Sequence, residues 1–400
     1  MTLSQDTIRI VKSTAPVLAA HGETITRHFY KEMFHHHPEL LDIFNSSNQK
    51  TGDQPRALAA AVYGYAANID NLGALTAVVE RIAHKHASFN IKPEHYPIVG
   101  KYLLGAVAHV LGDAATDEIL TAWTEAYGFL ADLFIQVEEG IYKNSEEQAG
   151  GWRGTREFKV VKKSPESRVI TSFYFEPVDG QPVVDFKPGQ YIGIYLQPQG
   201  HQYQEIRQYS LSDAPNGKGY RISVKREVKE GHEGLVSNYL HDQVVEGDIV
   251  KLSPPAGDFF LNKATEAPVV LISGGVGQTP MMSMLNTLVA ESSQRTIRYV
   301  HGAINSQSHA FAEHIDSIVK AHSNIKSILF YDQVDSEDQR HDYEGRMDLD
   351  VIRDQIDLPE AQFYFCGPMG FMSMINKTLQ SWGVTQDRIH YEVFGPHKEA

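Results

Sequence analysis

Gln148-Ala149-Gly150-Gly151-Trp152 divides the chain. Paired glycines break regular structure, and the texture differs on either side of them. On the N-terminal side apolar residues recur at helical spacing: Ile8, Val11, Ala15, Val17 and Leu18, then Ile25, Phe29, Met33 and Phe34. Pro38, Pro93 and Pro97 fall near the starts of helical patterns, where proline is tolerated. Asp53-Gln54-Pro55 and Asn71-Leu72-Gly73 read as helix junctions. The pattern predicts an all-α segment over residues 1–148.

On the other side, Phe158-Lys159-Val160-Val161, residues 169–175 and residues 191–196 are apolar stretches separated by Pro-Gly, Asn-Gly and Glu-Gly pairs. Strands at this spacing predict an antiparallel barrel or sandwich over residues 152–262, with the β-barrel as the expected form. From Val269-Val270-Leu271-Ile272 onward, strand runs at 297–300, 327–331 and 363–366 alternate with helical patterns. That predicts an α/β domain with a parallel sheet over residues 267–400. The expected fold class is multidomain: all-α, then antiparallel β-barrel, then α/β.

At 400 residues the chain exceeds one ordinary core. Its formal net charge of -14 argues against a nucleic-acid partner or an anionic membrane surface. The single cysteine, Cys366, leaves no intramolecular disulfide and suits a reducing cytosol. No apolar run is long enough to span a bilayer, and Met1-Thr2-Leu3-Ser4-Gln5-Asp6 does not open a signal peptide. A cytoplasmic monomer is expected.

Three stretches carry chemistry. Residues 81–89, Arg-Ile-Ala-His-Lys-His-Ala-Ser-Phe, place His84 and His86 two apart on a predicted helix. At that spacing the rings diverge, so both cannot face one bound group. The bland reading of a single histidine is a surface or hydrogen-bonded residue, and His35-His36-His37 reads as a solvated patch beside Pro38. Arg207-Gln208-Tyr209-Ser210 sets a forked cation, a ring and a hydroxyl on one short strand. Gly274-Gly275-Val276-Gly277-Gln278-Thr279-Pro280 follows a strand and opens a helix. Its glycines let the backbone approach a pyrophosphate, and Pro280 suits the first helical turn.

The neighbours of these stretches decide among readings. Residues 1–148 resemble a bacterial-type globin, with Tyr30, Phe44, Gln54, Leu58 and His86 in that family's order and spacing. Arg207-Gln208-Tyr209-Ser210 matches the R-x-Y-[ST] signature of ferredoxin-reductase-like flavoproteins. Pro188-Gly189-Gln190-Tyr191, Val224-Lys225-Arg226 and Gly234-Leu235-Val236-Ser237-Asn238 support the match. The glycine turn is the same family's G-x-G-x-x-P variant, with Cys366-Gly367-Pro368-Met369 and Glu392-Val393-Phe394-Gly395-Pro396 following. The chain thus resembles a bacterial flavohaemoglobin along essentially its full length.

That resemblance implies haem b, FAD and NADH or NADPH as cofactors. It chooses His86 as the iron ligand and places Phe44, Gln54 and Leu58 on the distal side. It makes Tyr30, Tyr96 and Glu138 the candidate catalytic residues: Tyr30 offers a phenol to a polar gas ligand, and Tyr96 and Glu138 bond around the proximal histidine. Plain core packing is the bland alternative for Tyr30 and Leu58, and a surface helix carboxylate for Glu138. The implied flavin residues are Tyr191, Arg207, Gln208, Tyr209, Ser210, Gly234, Val236 and Ser237. Those for the nicotinamide are Gly275, Gly277, Gln278, Thr279, Pro280, Cys366, Gly367 and Pro368, with Phe394 over the flavin face. No arginine follows the strand at Gly302-Ala303-Ile304-Asn305-Ser306, which favours NADH. The implied activity is dioxygenation of nitric oxide to nitrate. A reductase for lipid hydroperoxides, ferric iron or quinones is an alternative, as is a gas sensor or store. Lipid or azole-type ligands in the haem pocket remain open at this point.

Overall fold

The computed structural model describes residues 2–44, 52–229, 232–334 and 340–395; Pro396 lies outside them. Its contacts form two compact units, residues 1–155 with 193–207, and residues 156–192 with 208–400. Among the described residues, no helix is long and apolar enough to cross a membrane.

The first unit is mostly helical: α1 (Gln5–Ser13), α2 (Ala15–His36), α3 (Asp53–Ala67), α4 (Thr76–Ser88), α5 (His95–Leu111) and α6 (Asp117–Glu147). Ser4 and Thr116 cap α1 and α6 by accepting the Thr7 and Ile119 amides. The two glycines that end the helical texture have separate reasons. Gly150 takes φ +76°, and a Cβ on Gly151 would stand 1.9 Å from the Ser145 carbonyl oxygen. The helices bury two distinct apolar clusters. One gathers Phe29, Tyr30 and Met33 with Phe44, Leu58 and Val62 at its edge. The other gathers Ala83, Tyr96, Ala131 and Phe134. Tyr127 and Leu130 touch both. Residues 193–207 cluster with these helices, where the Tyr195 hydroxyl donates to the Ser88 carbonyl at 2.7 Å.

The antiparallel strands are β1 (Arg156–Pro165), β2 (Ile170–Pro177), β3 (Tyr191–Leu196), β4 (Glu205–Ser210), β5 (Tyr220–Lys225), the short β6 (Val228–Lys229) and β7 (His232–Glu233), and β8 (Ile249–Leu252). Six of them form one sheet in the order β4-β3-β8-β1-β2-β5. The expected barrel is a curled sheet rather than a continuous closed ladder. Its two outer strands meet just past β4, where Leu211 bridges Ile222 and the Ser212 amide donates to the Arg221 carbonyl at 2.9 Å. A register shift between Val160 and Lys162 adds local twist that helps the sheet curl. Helix α7 (Leu235–Asp242) follows, its end held by the Lys163 ammonium on the carbonyls of Leu240, His241 and Val244.

The last third is a parallel sheet of β12 (Tyr343–Glu344), β11 (Ile325–Tyr331), β10 (Ile297–Ala303), β9 (Val269–Gly274), β13 (Gln362–Cys366) and β14 (Ile389–Glu392), in that order. All six residues of β9 are buried, because helices cover both faces. Leu271, Tyr299 and Tyr364 pack toward α8 (Gln278–Ala290) and α9 (Ala312–Ala321). Val270, Ile272 and Phe363 pack toward α10 (Arg353–Ile356) and α11 (Met369–Ser381).

This sheet buries two facing histidines. His301 donates to or accepts from Ser273 Oγ at 2.8 Å, His309 pairs with the Tyr331 hydroxyl at 3.0 Å, and the two rings lie 5.0 Å apart. Burial, then the Arg340 charge, pulls His309 down to about 4, and burial depresses His301 in the same direction. A histidine that is harder to protonate when folded contributes stability above its unfolded value near 6.5, and that contribution fades as pH falls toward 4. Between pH 7 and 5 His309 alone should remove about 2 kcal/mol of stability. Denaturant midpoints at the two pH values, compared with those of His309→Gln, measure this; equal pH sensitivity in both proteins would refute it.

Candidate functional site

Helix α4 ends at Ser88, so His86 lies in its last turn. Its Nδ1 is 2.7 Å from Glu138 Oε1 and 3.2 Å from the Tyr96 hydroxyl. Tyr96 donates to the same carboxylate oxygen at 2.5 Å. Glu138 is 2% exposed, on the face of α6 that also buries Ala131, Phe134 and Tyr142. Its neighbour Glu139 points outward and pairs with Arg153. The Phe134 ring lies 5.6 Å from that of His86. Burial first, then the Glu138 charge, raises the Tyr96 phenol, so it stays a proton donor. With Nδ1 committed, Nε2 is the nitrogen of His86 that remains for a bound group.

On the other cluster, Tyr30 is 6% exposed. Burial raises its phenol, against a hydrogen bond with the Gln54 side chain. Its ring stands 5.7 Å from both Phe34 and Phe44, edge-on to Phe44. Leu58 is half-buried against the same cluster, one helical turn beyond Gln54 on α3. Tyr30, Phe44 and Leu58 thus share one cluster, with Gln54 bonded to the Tyr30 phenol, and His86, Tyr96 and Glu138 gather at the other. A core split this way suits a flat apolar group, and the imidazole backed by a carboxylate suits its iron. These residues fit a haem.

On β4, Arg207 donates to Glu205 Oε2 and to the Ile206 carbonyl, both at 2.8 Å. Gln208 and Tyr209 are half-buried and Ser210 is 5% exposed. Tyr191 packs its ring against Gly257, where a Cβ would come within 2.9 Å, and burial with Glu392 and Asp258 raises its phenol. Gly234 precedes α7, and the Ser237 hydroxyl donates back to its carbonyl at 3.1 Å, with Val236 buried beside it. Arg226 braces that helix through Asn238 and Asp242. A strand offering a ring, a hydroxyl and a guanidinium suits a flavin nucleotide.

The glycine turn of Gly275–Gly277 ends β9 and opens α8. Gly275 takes φ +54°. A Cβ on Gly277 would meet the Cys366 carbonyl oxygen at 2.1 Å, so no larger residue fits without moving backbone. That close approach brings the turn against Cys366-Gly367-Pro368 at the C-terminal edge of the adjacent strand β13. Gln278 is fully buried, yet neither its amide nitrogen nor its oxygen has a partner among the described residues. A buried amide without partners is costly, so the turn fits a ligand that supplies them. Thr279 and Pro280 are buried in the same first turn. Burial and Glu392 push the Cys366 thiol up, which argues against a nucleophile. Glu392 lies opposite Cys366 in the β13–β14 register, and Phe394 beyond it is 44% exposed. The sequence reading singled out Phe394 and passed over Glu392. It also passed over Phe134, which only the α4–α6 packing brings to His86.

Known proteins resemble all three segments. Residues 27–133 match the globin family, 157–261 the oxidoreductase FAD-binding domain and 271–377 the oxidoreductase NAD-binding domain. A flavohemoprotein of Halalkalibacterium halodurans is 50% identical, over 99% of this chain and 97% of its own length. One from Rhizobium meliloti is 52% identical, over 98% of each. The flavohemoglobin of Malassezia yamatoensis, solved with bound FAD and heme, superposes with a TM-score of 0.87 at 30% identity, covering 99% of this chain and all of its own. The FAD/NAD-binding domain of a nitric oxide dioxygenase from Vibrio cholerae is 45% identical over 60% of this chain and 99% of its own, with a TM-score of 0.55. A helical haem segment, a flavin sheet and a nicotinamide sheet in this order, with these relatives along the whole length, make the chain a member of the flavohaemoprotein family.

Proposed function

We propose that the protein oxidises nitric oxide to nitrate, using dioxygen and NAD(P)H, with the work divided over residues 1–148, 152–262 and 267–400. One observation carries the reading: the buried Glu138 carboxylate holds both His86 Nδ1 and the Tyr96 hydroxyl. An imidazole that donates to a buried carboxylate gains anionic character and becomes a stronger donor through Nε2. A protein that only stores or senses gas has little use for that, nor for an attached reductase. When bound, haem supplies an iron centre for the gas, and FAD turns two-electron hydride chemistry into single-electron supply.

The chain's own groups do the rest. Tyr30, held by Gln54, presents a neutral phenol that donates to a polar gas ligand, while Phe44 and Leu58 close that side to water. Arg207 would hold the flavin pyrophosphate, Tyr209 would lie on the ring system and Ser210 would bond its N5 edge. Gly277 and Gln278 would receive the nicotinamide nucleotide beside Cys366, with NADH favoured by the absence of an arginine after β10. The likeness of the reductase half to a nitric oxide dioxygenase from Vibrio cholerae supports the reading. The test is anaerobic spectroscopy of the purified protein with NADH, then aerobic nitric oxide consumption with nitrate counted. Haem reduction followed by oxygen-dependent nitrate formation is expected. Reduction without nitrate would instead point to a reductase for peroxides or other acceptors.

A further inference from the structure

We propose that Asp213 is a positioning residue that sets the separation between the flavin strand and the nicotinamide helix; this rests on the assignment of those two elements given above. Asp213 lies three positions past Ser210. Its backbone carbonyl accepts the Ser283 hydroxyl at 2.8 Å. Its Oδ1 accepts the Asn286 amide at 2.7 Å and its neighbour's Ala214 N–H at 2.9 Å. Ser283 and Asn286 are both on α8, four and seven positions after Thr279, and so on the helix face that starts at the glycine turn. A single residue at the end of the flavin strand therefore grips the nicotinamide helix twice.

The grip is braced from both sides. Arg221 Nη1 stands 3.4 Å from Asp213 Oδ2. Arg221 is 8% exposed, donates to the Ser212 hydroxyl at 3.1 Å and to the Ser212 carbonyl, and lies over the rings of Tyr174 and Phe311. On the far side, His314 Nε2 is 2.8 Å from Asn286 Oδ1. Donation from His314 orients the Asn286 amide so that its Nδ2 faces Asp213. Phe311 belongs to the nicotinamide sheet's own packing and His314 lies on α9, so the brace reaches into both sheets' surroundings.

The separation matters because hydride transfer is short-ranged. The C4–H bond of dihydronicotinamide breaks with both its electrons, an N5–H bond forms on the flavin, and the nicotinamide is oxidised as the flavin is reduced by two electrons. Displacement of such reacting atoms by about 1 Å costs on the order of a hundredfold in rate. Asp213 acts through the strand and the helix without itself meeting either ring system.

The test uses the full-length, FAD-loaded protein in anaerobic stopped flow with NADH and with C4-deuterated NADH. Calorimetry provides a second readout. Asp213→Ala and Asn286→Leu should each slow limiting flavin reduction on the order of tenfold, with an altered deuterium isotope effect and little change in NADH half-saturation. The double variant should match either single one, since all three cut the same bond. Asp213→Asn keeps an acceptor oxygen for Asn286 and should stay within about twofold of the parent. In calorimetry, the cut variants should broaden or split the unfolding transition shared by the two sheets. Unchanged reduction rates in both single variants, multiplying losses in the double variant, or losses confined to half-saturation and melting temperature would each overturn the proposal. If NADH fails to reduce the flavin of the parent protein, the nicotinamide assignment falls, and the strut with it.

Discussion

His86→Ala is expected to abolish normal haem ligation, while His84→Ala leaves it intact. Both histidines are on α4, two positions apart, so their rings leave the helix in different directions. His86 has a backing carboxylate, 2.7 Å from Glu138, and the Phe134 ring beside it. Metal-bound histidines characteristically donate their second ring nitrogen in this way, which sets the tautomer and the ring orientation. Removing the imidazole also strips a partner from a carboxylate that is 2% exposed. The Tyr96 hydroxyl remains, so the stability loss should be on the order of 1–3 kcal/mol rather than complete unfolding. Absorption spectra of each variant after haem reconstitution, with melting temperatures, settle the matter. Normal ligation in His86→Ala together with its loss in His84→Ala would make His84 the ligand.

Tyr30→Phe should accelerate dioxygen dissociation by ten- to a hundredfold, the equivalent of about 1.5–3 kcal/mol for one hydrogen bond to a polar ligand. The phenol is buried, and its ring is wedged by Phe34 and Phe44, so phenylalanine fits the same space. Loss of the hydroxyl alone is then what the experiment reads. Gln54 bonds that hydroxyl and would lose its partner, so Gln54→Leu should produce a smaller change of the same sign. Flash photolysis or stopped-flow displacement measures the off-rate. An off-rate unchanged in Tyr30→Phe would remove Tyr30 from ligand stabilisation and return it to core packing.

Local signals in the chain were read well where the physics is local. Helical periodicity, the Gly150-Gly151 break and the glycine turn before α8 each depend on neighbours within a few residues. The short edge strands β12 and β14 escaped the reading, because they gain strand character from pairing with β11 and β13 rather than from their own sequence. Closure of the sheet is likewise not a local property. Alternating strands specify an antiparallel sheet, but whether its edges join depends on twist and on the meeting of Leu211 with Ile222.

By itself the sequence determined the order of the three structural classes and the kinds of chemistry each could host. Periodicity, breakers and side-chain type are properties of single residues and near neighbours. Between Glu138 and Glu139, adjacent and identical in the chain, the resemblance named Glu138, but only the tertiary structure supplies the physical reason. One faces His86 across the α4–α6 packing while the other pairs with Arg153 at the surface. Only the tertiary structure, likewise, joined Asp213 to Asn286, 73 positions apart. Both outcomes depend on which helix face becomes buried and against what, and burial is what turns an ordinary carboxylate into a proton acceptor with a fixed partner.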